Sequence, residues 1–374
     1  MSRLWTNTMG IDNFKTLDLE LLEKEYNNFY APSFEVKIEN QNSIALGMEI
    51  SNISVSNNLE GADQFTFSVG NSFDIIKRDF NWMDKYLTPG KRIEISMGYC
   101  DKLEPLISGR INSVKVNFPA GQLPQLTITG LDIMGEMMRG KKSECWSEIK
   151  DSEIVSAIIS KYKVSEVYID ETKIKHSKVN QENKSDFQFI NELAKRNNFE
   201  FFVFEKALYF REKAKKKVPV VTLEWGVNLL SFSPVINIAG QVSKVRGKYW
   251  DNKAKKALEV EVDTVEEIGS GGDKSAPALV KELHGEDIVE QMNFCAAFHE
   301  EALLSAKTTL NQKSASLLTG DGETVGIPAL RAGRFVKLMG LGSKFSKTYY
   351  ISSTTHTINN TGYRTSFSVR SNKI

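Results

Sequence analysis

Two stretches of this chain, Gly90-Lys-Arg-Ile-Glu-Ile-Ser-Met-Gly98 and Gly333-Arg-Phe-Val-Lys-Leu-Met-Gly340, are variants of one pattern. Each opens on a glycine turn and a basic residue, continues as an alternating strand, and ends on Met-Gly. The spacing persists downstream. An alternating strand follows around Val114 in the first copy and Thr354 in the second, and another around Leu126 and Ser366, twelve residues later in each. Ile93 is matched with Phe335 on the same basis. Internal similarity at a distance indicates two versions of one β unit in a single polypeptide. Such a duplication lets a protein present in few copies meet a ring of higher symmetry.

The chain has 374 residues, enough for two or three domains with cores of their own. Apolar residues make up 41% and charged residues 25%, ordinary for a globular protein. The net charge of +1 argues against a dedicated nucleic-acid binder, which carries a basic excess or stripe. Lys213-Ala-Lys-Lys-Lys217 reads as a solvated linker. Cys100, Cys145 and Cys295 are widely spaced, with no Cys-x-x-Cys pair. With an N-terminus lacking an apolar h-region, this implies synthesis in a reducing cytoplasm without a signal peptide. No stretch approaches the ~20 apolar residues of a membrane span.

Around the repeat, the periodicity divides the chain into five parts. Residues 1–32 are an N-terminal helical arm, with Phe14, Leu17, Leu21, Leu22 and Tyr26 at helical spacing. The arm either packs on its own barrel or lies on a neighbouring subunit. Residues 33–140 alternate apolar and polar positions in several short strands, giving a first tube-like antiparallel β-barrel. A helical piece over Phe73–Tyr86 interrupts it, with Phe80 and Trp82 plugging the core. Residues 141–217 are an α/β insert with its own small core: Ser152 and Ser185 (or Asp186) cap helices, and Phe199–Phe204 pairs with Ala207–Arg211 in a hairpin. Residues 218–263 and 320–374 make a second barrel. Between them, 264–319 is an excursion with a flexible Gly269-Ser-Gly-Gly-Asp273 stretch and a helix from about Glu300 to Lys313. The fold class is therefore mainly β, with an α/β insert.

No catalytic constellation emerges. His299-Glu300-Glu301-Ala302-Leu303 begins like a zinc-protease helix, but leucine occupies the place of the second histidine ligand. Gly320-Asp-Gly-Glu323 has too few carboxylates for a calcium loop, and Asp321 and Glu323 read as solvated turn residues rather than a sugar-cleaving pair. There is neither a Gly-x-Ser-x-Gly elbow nor a phosphate loop. Of the four histidines, His176, His284, His299 and His356, the last lies in an alternating strand and reads as structural. We therefore assign no catalytic, cofactor-binding or metal-binding residue and expect no cofactor.

Three stretches together resemble the phage late control D proteins, the VgrG-like baseplate hubs of contractile tails and injection systems. The first is Gln181-Glu-Asn-Lys-Ser-Asp-Phe-Gln-Phe-Ile190 with Leu193-Ala194 and Leu208-Tyr-Phe210. The second is Leu223-Glu-Trp-Gly226 with Leu229-Leu-Ser-Phe-Ser-Pro234. The third is Gly326-Ile-Pro328, Arg331-Ala-Gly333, Gly340-Leu-Gly342, Tyr349, His356 and Gly362-Tyr363. The resemblance spans residues 33–372 and implies two tube-like barrels, an α/β insert and a homotrimer. That trimer would join a hexameric tail tube protein to a trimeric spike protein among other baseplate proteins, in a virion or injection particle. The chain resembles the short hubs, which take their spike from a separate polypeptide. The competing readings are a β-rich tail adhesin, which requires exposed aromatic clusters, and a cell-wall hydrolase, which requires an acid/base pair.

Overall fold

The structure is a computed structural model that describes residues 16–213, 217–251 and 254–374. Phe14 of the arm and Ala214–Lys216 of the basic linker lie outside the described residues. The first β unit contains β1 (Pro32–Ile38), β2 (Ile50–Asn58), β3 (Gln64–Val69), β4 (Arg92–Tyr99), β5 (Lys102–Asn117) and β6 (Gln125–Leu131). The insert adds β7 (Lys142–Lys150), β8 (Glu166–Ile169), β9 (Lys175–Lys184), β10 (Phe199–Phe204) and β11 (Ala207–Glu212). The second unit begins with β12 (Pro219–Glu224) and β13 (Leu229–Ile236). After an excursion holding β14 (Lys244–Asp251), β15 (Lys256–Val262) and β16 (Val289–Asn293), it resumes as β17 (Leu318–Val325), β18 (Phe335–Met339), β19 (Thr348–Asn359) and β20 (Gly362–Ser371). The main helices are α1 (Leu19–Glu25), α2 (Ile133–Met137), α3 (Asp151–Ile159), α4 (Asp186–Arg196), α5 (Ala276–His284) and α6 (His299–Ser314).

The two units share one strand order. Hydrogen-bonded neighbours run β1–β4–β5–β6–β3–β2 in the first and β12–β18–β19–β20–β17–β13 in the second, so corresponding strands appear in the same chain order. The likeness extends to irregularities. β5 bulges between Ile111 and Ser113 against β6, and β19 bulges between Ile351 and Ser353 against β20. Gly90 donates its N–H to the Ile111 carbonyl and Gly333 donates its own to that of Ile351, each glycine at positive φ, where a side chain would be strained. This register equates Val114 with Thr354, as the spacing implied. It also equates Ile93 with Val336 and Leu126 with Thr365, each one residue from the partner matched by sequence. A one-residue slip exchanges the two faces of a strand, so these corrections decide which side chains enter the core. One difference remains: β1 meets β4 antiparallel, whereas β12 meets β18 parallel.

The cores are filled by different strands. In β3 the alternation places Phe65, Phe67 and Val69 inside and Gln64, Thr66 and Ser68 outward. Phe65 lies over Gly130 of β6. At the equivalent positions β17 carries Gly320 and Gly322, and the space goes to Phe232 and Phe367. A Cβ on Gly320 would sit 2.6 Å from Phe232 Cζ, and one on Gly322 2.5 Å from Phe367 Cζ. The Gly320–Glu323 stretch is thus strand, not the turn expected from its glycines.

The two units are parts of one sheet because β2 pairs antiparallel with β19, from Ile53 opposite Ile358 to Asn58 opposite Ser353. The coarse expectation of a mainly β fold with large antiparallel sheets holds. The pairing path nevertheless stays open among the described residues, running from β13 to the short strand Gln41–Asn42 beside β1, so neither unit closes as a barrel by its own hydrogen bonds.

Several boundaries fall elsewhere than the periodicity suggested. Residues 73–86 form a hairpin of Phe73–Asp74 with Asp79–Phe80 and turns instead of a helix. Asp74 accepts from the Ile76 and Lys77 amides, a local alternative to helical bonding. Strands β14 and β15 stand outside the large sheet; β14 pairs with β15 on one side and β16 on the other, and α6 covers them through Ala302, Ala306 and Leu310. The excursion is therefore a small α/β module that takes in residues assigned above to the second barrel. Gly269–Asp273 is pinned, not loose: Ser270 and Thr348 exchange backbone bonds of 3.1 Å. The insert is held by α3 and α4, the latter closed by a Ser185–Gln188 capping box. Phe189 is buried and stacked on Trp146, but the insert's core continues onto Phe335 and Tyr350 of the second unit. Helix α1 packs on its own chain, with Leu22 and Tyr26 buried in the main core.

Candidate functional site

The joint between the two β units carries several long-range polar bonds, and it grows from ordinary strand chemistry. β2 and β19 alternate apolar residues with serine and threonine. On the outward face Ser56 Oγ meets Thr355 Oγ1 at 3.0 Å and Ser54 Oγ meets Thr357 Oγ1 at 3.3 Å. On the inward face Ile53, Val55, His356 and Ile358 are buried. Such cross-strand pairs stabilise a sheet by tenths of a kcal/mol up to about 1 kcal/mol each.

Behind the joint, the loop Gly326–Arg334 threads between the units. Arg331 is buried and donates from Nη1 to the Pro105 carbonyl at 3.0 Å and from Nη2 to the Leu106 carbonyl at 2.9 Å, tying the second unit to β5. Its guanidinium and that of Arg334 stack on Phe204, at the tip of the insert hairpin, at 4.7 and 4.5 Å. Tyr99 of β4 donates to the Gly326 carbonyl at 2.9 Å, and Tyr26 of the arm donates to Glu104 at 2.6 Å. First unit, second unit, insert and arm therefore meet at one place. The sequence signal for Arg331 was present: a lone cation in the apolar run Ile327-Pro-Ala-Leu-Arg-Ala332 is a buried one.

His356 belongs to this joint. Its Nε2 donates to the Leu330 carbonyl at 2.9 Å, which fixes the tautomer. Nδ1 accepts from the Tyr363 hydroxyl at 3.0 Å, with Thr365 Oγ1 at 3.1 Å. Burial, then the nearby Arg331 charge, push its pKa down to about 3, so it stays neutral. Asp63 lies close by, accepting from Asn57 Nδ2 and the Asn58 amide. Burial raises its pKa to about 6, against the pull of Arg331.

The other weighed residues do not assemble into a site. His176 bridges Asp151 (3.6 Å) and Glu301 (3.2 Å), clamping the insert to α6. Burial works against its charge, but those two carboxylates raise its pKa to about 9. His299 Nδ1 lies 3.4 Å from the Tyr249 hydroxyl, and His284 is exposed. Asp321 accepts from Ser368 Oγ at 2.7 Å and Glu323 lies 4.0 Å from Arg364, both on the outer face of β17. No group of three or more His, Cys, Asp or Glu suited to a metal occurs among the described residues. A cavity of about 770 Å³ opens between the insert, α6 and the second unit. It mixes both signs of charge, and its Glu267 is already paired with Lys217 and Lys373. Trp225 and Trp250 are more than half exposed, although aromatics in periodic strands were expected inside. Among the described residues, no helix is long and apolar enough to cross a membrane.

The fold has solved counterparts. A 43 kDa tail protein of prophage MuSo2 from Shewanella oneidensis superposes with a TM-score of 0.69 at 12% identity, covering 91% of this chain and 98% of that one. A tail protein from Neisseria meningitidis MC58 gives 0.65 at 11% identity, covering 91% and 97%. A chain of the Francisella PdpA–VgrG complex gives 0.57 at 8% identity, covering 93% and 60%. At these identities the likeness establishes a shared fold, that of phage tail and VgrG-type proteins. No curated protein matches in sequence. The model of the Alg8 N-terminal domain matches residues 31–360, and the chain belongs to that family.

Proposed function

We propose that this chain is a structural baseplate hub of a contractile phage tail, tailocin or extracellular injection system. In this reading three copies form a ring whose six β units offer near-equivalent positions to a hexameric tail tube, while the threefold side faces a trimeric spike. The observation that carries it is the duplicated strand order, with shared bulge and shared glycine, inside one chain. Three chains of two like units are what a meeting of sixfold and threefold partners requires. Closure of the tube-like barrels, which the strand pairing among the described residues of one chain does not reach, would then be a property of the ring. The chain's role is architectural: its buried histidine and arginine hold units together, and it carries no assigned catalytic group.

Electron microscopy of the purified oligomer, alone or in its particle, tests this. A threefold ring with six similar β units is expected. Six copies in one ring, or a ring in which the two units of each chain occupy unrelated positions, would overturn it.

A further inference from the structure

The joint inside the chain has a counterpart with no partner. Register equates β13 with β2 and the second half of β5 with the second half of β19, so Phe232, Pro234 and Ile236 stand where Ile53, Val55 and Asn57 stand. Likewise Val114, Val116 and Phe118 stand where Thr354, His356 and Ile358 stand. β2 and β19 cover each other, whereas the outer edges of β13 beyond Leu229 and of β5 beyond Ile111 have no strand partner among the described residues. Burial follows. Asn57 is 3% exposed, Thr354 1%, His356 0% and Ile358 7%. Their equivalents lose that cover: Ile236 is 38% exposed, Phe118 66%, and Val114 and Val116 are only half-buried. Val235, on the other face, is 55% exposed. Both edges thus expose apolar positions that the internal joint covers, a combination that invites strand addition.

We propose that the occupant of each edge is the other edge on a second copy of this chain. β13 adds antiparallel to residues 113–118 of the next copy, the end of its β5 and the residue after it, in the register by which β2 adds to β19. This rests on the hub reading and names the contact that closes its ring. In that register Val235 lies opposite Lys115 of the next copy, as Ser56 lies opposite Thr355, and Pro234 lies opposite Val116, as Val55 lies opposite His356.

The phase of the hydrogen bonds fixes one further detail. Bonds in an antiparallel ladder alternate between facing pairs. Asn237 donates to the Leu317 carbonyl, so the Pro234 nitrogen points away from β17, toward the free edge. Leu59 donates to Ser352 in the internal joint, which points the Val55 amide at β19. The contact between copies is therefore one donor short of the internal one. Proline in that place also blunts indiscriminate pairing of an open edge, while leaving the Pro234 carbonyl to accept.

The test is disulfide trapping in the full chain with Cys100, Cys145 and Cys295 replaced by serine. Val235→Cys with Lys115→Cys should cross-link into species of two and three chains and stop at three. Val235→Cys with Val114→Cys, slipped by one residue to the opposite face, should give little. Val235→Asp, at an exposed position, should lose the trimer in sedimentation while keeping the monomer's circular dichroism. Pro234→Val should shift the balance toward trimer. Trimers that form without preferential cross-linking of the Val235/Lys115 pair would refute this seam and leave the hub reading standing. A chain that remains monomeric to its solubility limit would refute both.

Discussion

Substituting Gly322 tests whether the two units fill equivalent cores from opposite strands. A valine there places Cβ 2.5 Å from Phe367 Cζ, more than about 1 Å inside ordinary carbon contact. Phe367 is 2% exposed and has nowhere to swing freely. Overpacking of this kind costs about 1–3 kcal/mol, and relief of a strand glycine returns about 0.5–1 kcal/mol. Gly322→Val should therefore be destabilised by about 1–2 kcal/mol although a β-branched residue suits a strand. Phe367→Ala should cost about 3–5 kcal/mol through the cavity it leaves. Combined, the valine grows into that cavity, so the double variant should be more stable than the sum by about 1–3 kcal/mol. Urea unfolding followed by fluorescence, with m unchanged across the four proteins, measures the cycle. Additivity within about 0.5 kcal/mol, or a stabilising Gly322→Val, would refute the exchange of volume between β17 and β20.

Other outcomes follow from the joints described above. Phe189→Ala should destabilise by about 3–5 kcal/mol, as for a buried aromatic, and calorimetry should show the second unit affected too, because the insert's core runs onto Phe335 and Tyr350. His176 has a folded pKa raised to about 9. The stability it contributes is complete below its ordinary value near 6.5 and is lost as pH rises through about 9; His176→Ala should flatten that slope in pH-dependent melting. Arg331→Ala should unfasten the Pro105 and Leu106 carbonyls and cost several times what an exposed substitution such as Lys344→Ala does, measured by urea midpoint. Peptidoglycan and ester or peptide reporters should turn over at background rates; a turnover abolished by Glu323→Gln or His356→Ala would contradict the architectural role.

The duplication was legible because its turn signals are local: Gly90 and Gly333 must adopt positive φ, and the strand after each must alternate. The phase was not. Met-Gly endings aligned Ile93 with Phe335, whereas the ladders align it with Val336, and no sequence mark announces which residue opposes which. The Gly320–Glu323 stretch looked like a turn because glycine and acid there carry the composition of one. Its glycines instead make room for rings contributed by β13 and β20, a fact held in other strands. The 73–86 helix failed because Asp74 bonds its own downstream amides. The β2–β19 joint could not be read at all, since Ser54, Ser56, Thr355 and Thr357 are unremarkable until they face each other. For the same reason the burial of Arg331 was readable from its apolar run, whereas its partners, the Pro105 and Leu106 carbonyls, were not.

That joint also sets the order of events at the ribosome. Ser56 and Thr355 are 299 residues apart, and at roughly 5–20 residues per second the edge of β2 waits on the order of 15–60 s for its partner to be made. Through that interval the first unit can hold β3 to β2 but cannot cover β2's other side. The nascent chain thus displays an unpaired, apolar-backed strand for longer than most domains take to fold. Neighbouring nascent copies on one message would display the same strand. Newly made protein should accordingly depend on chaperone capture during synthesis, and chains truncated before Thr348 should aggregate where the full chain does not.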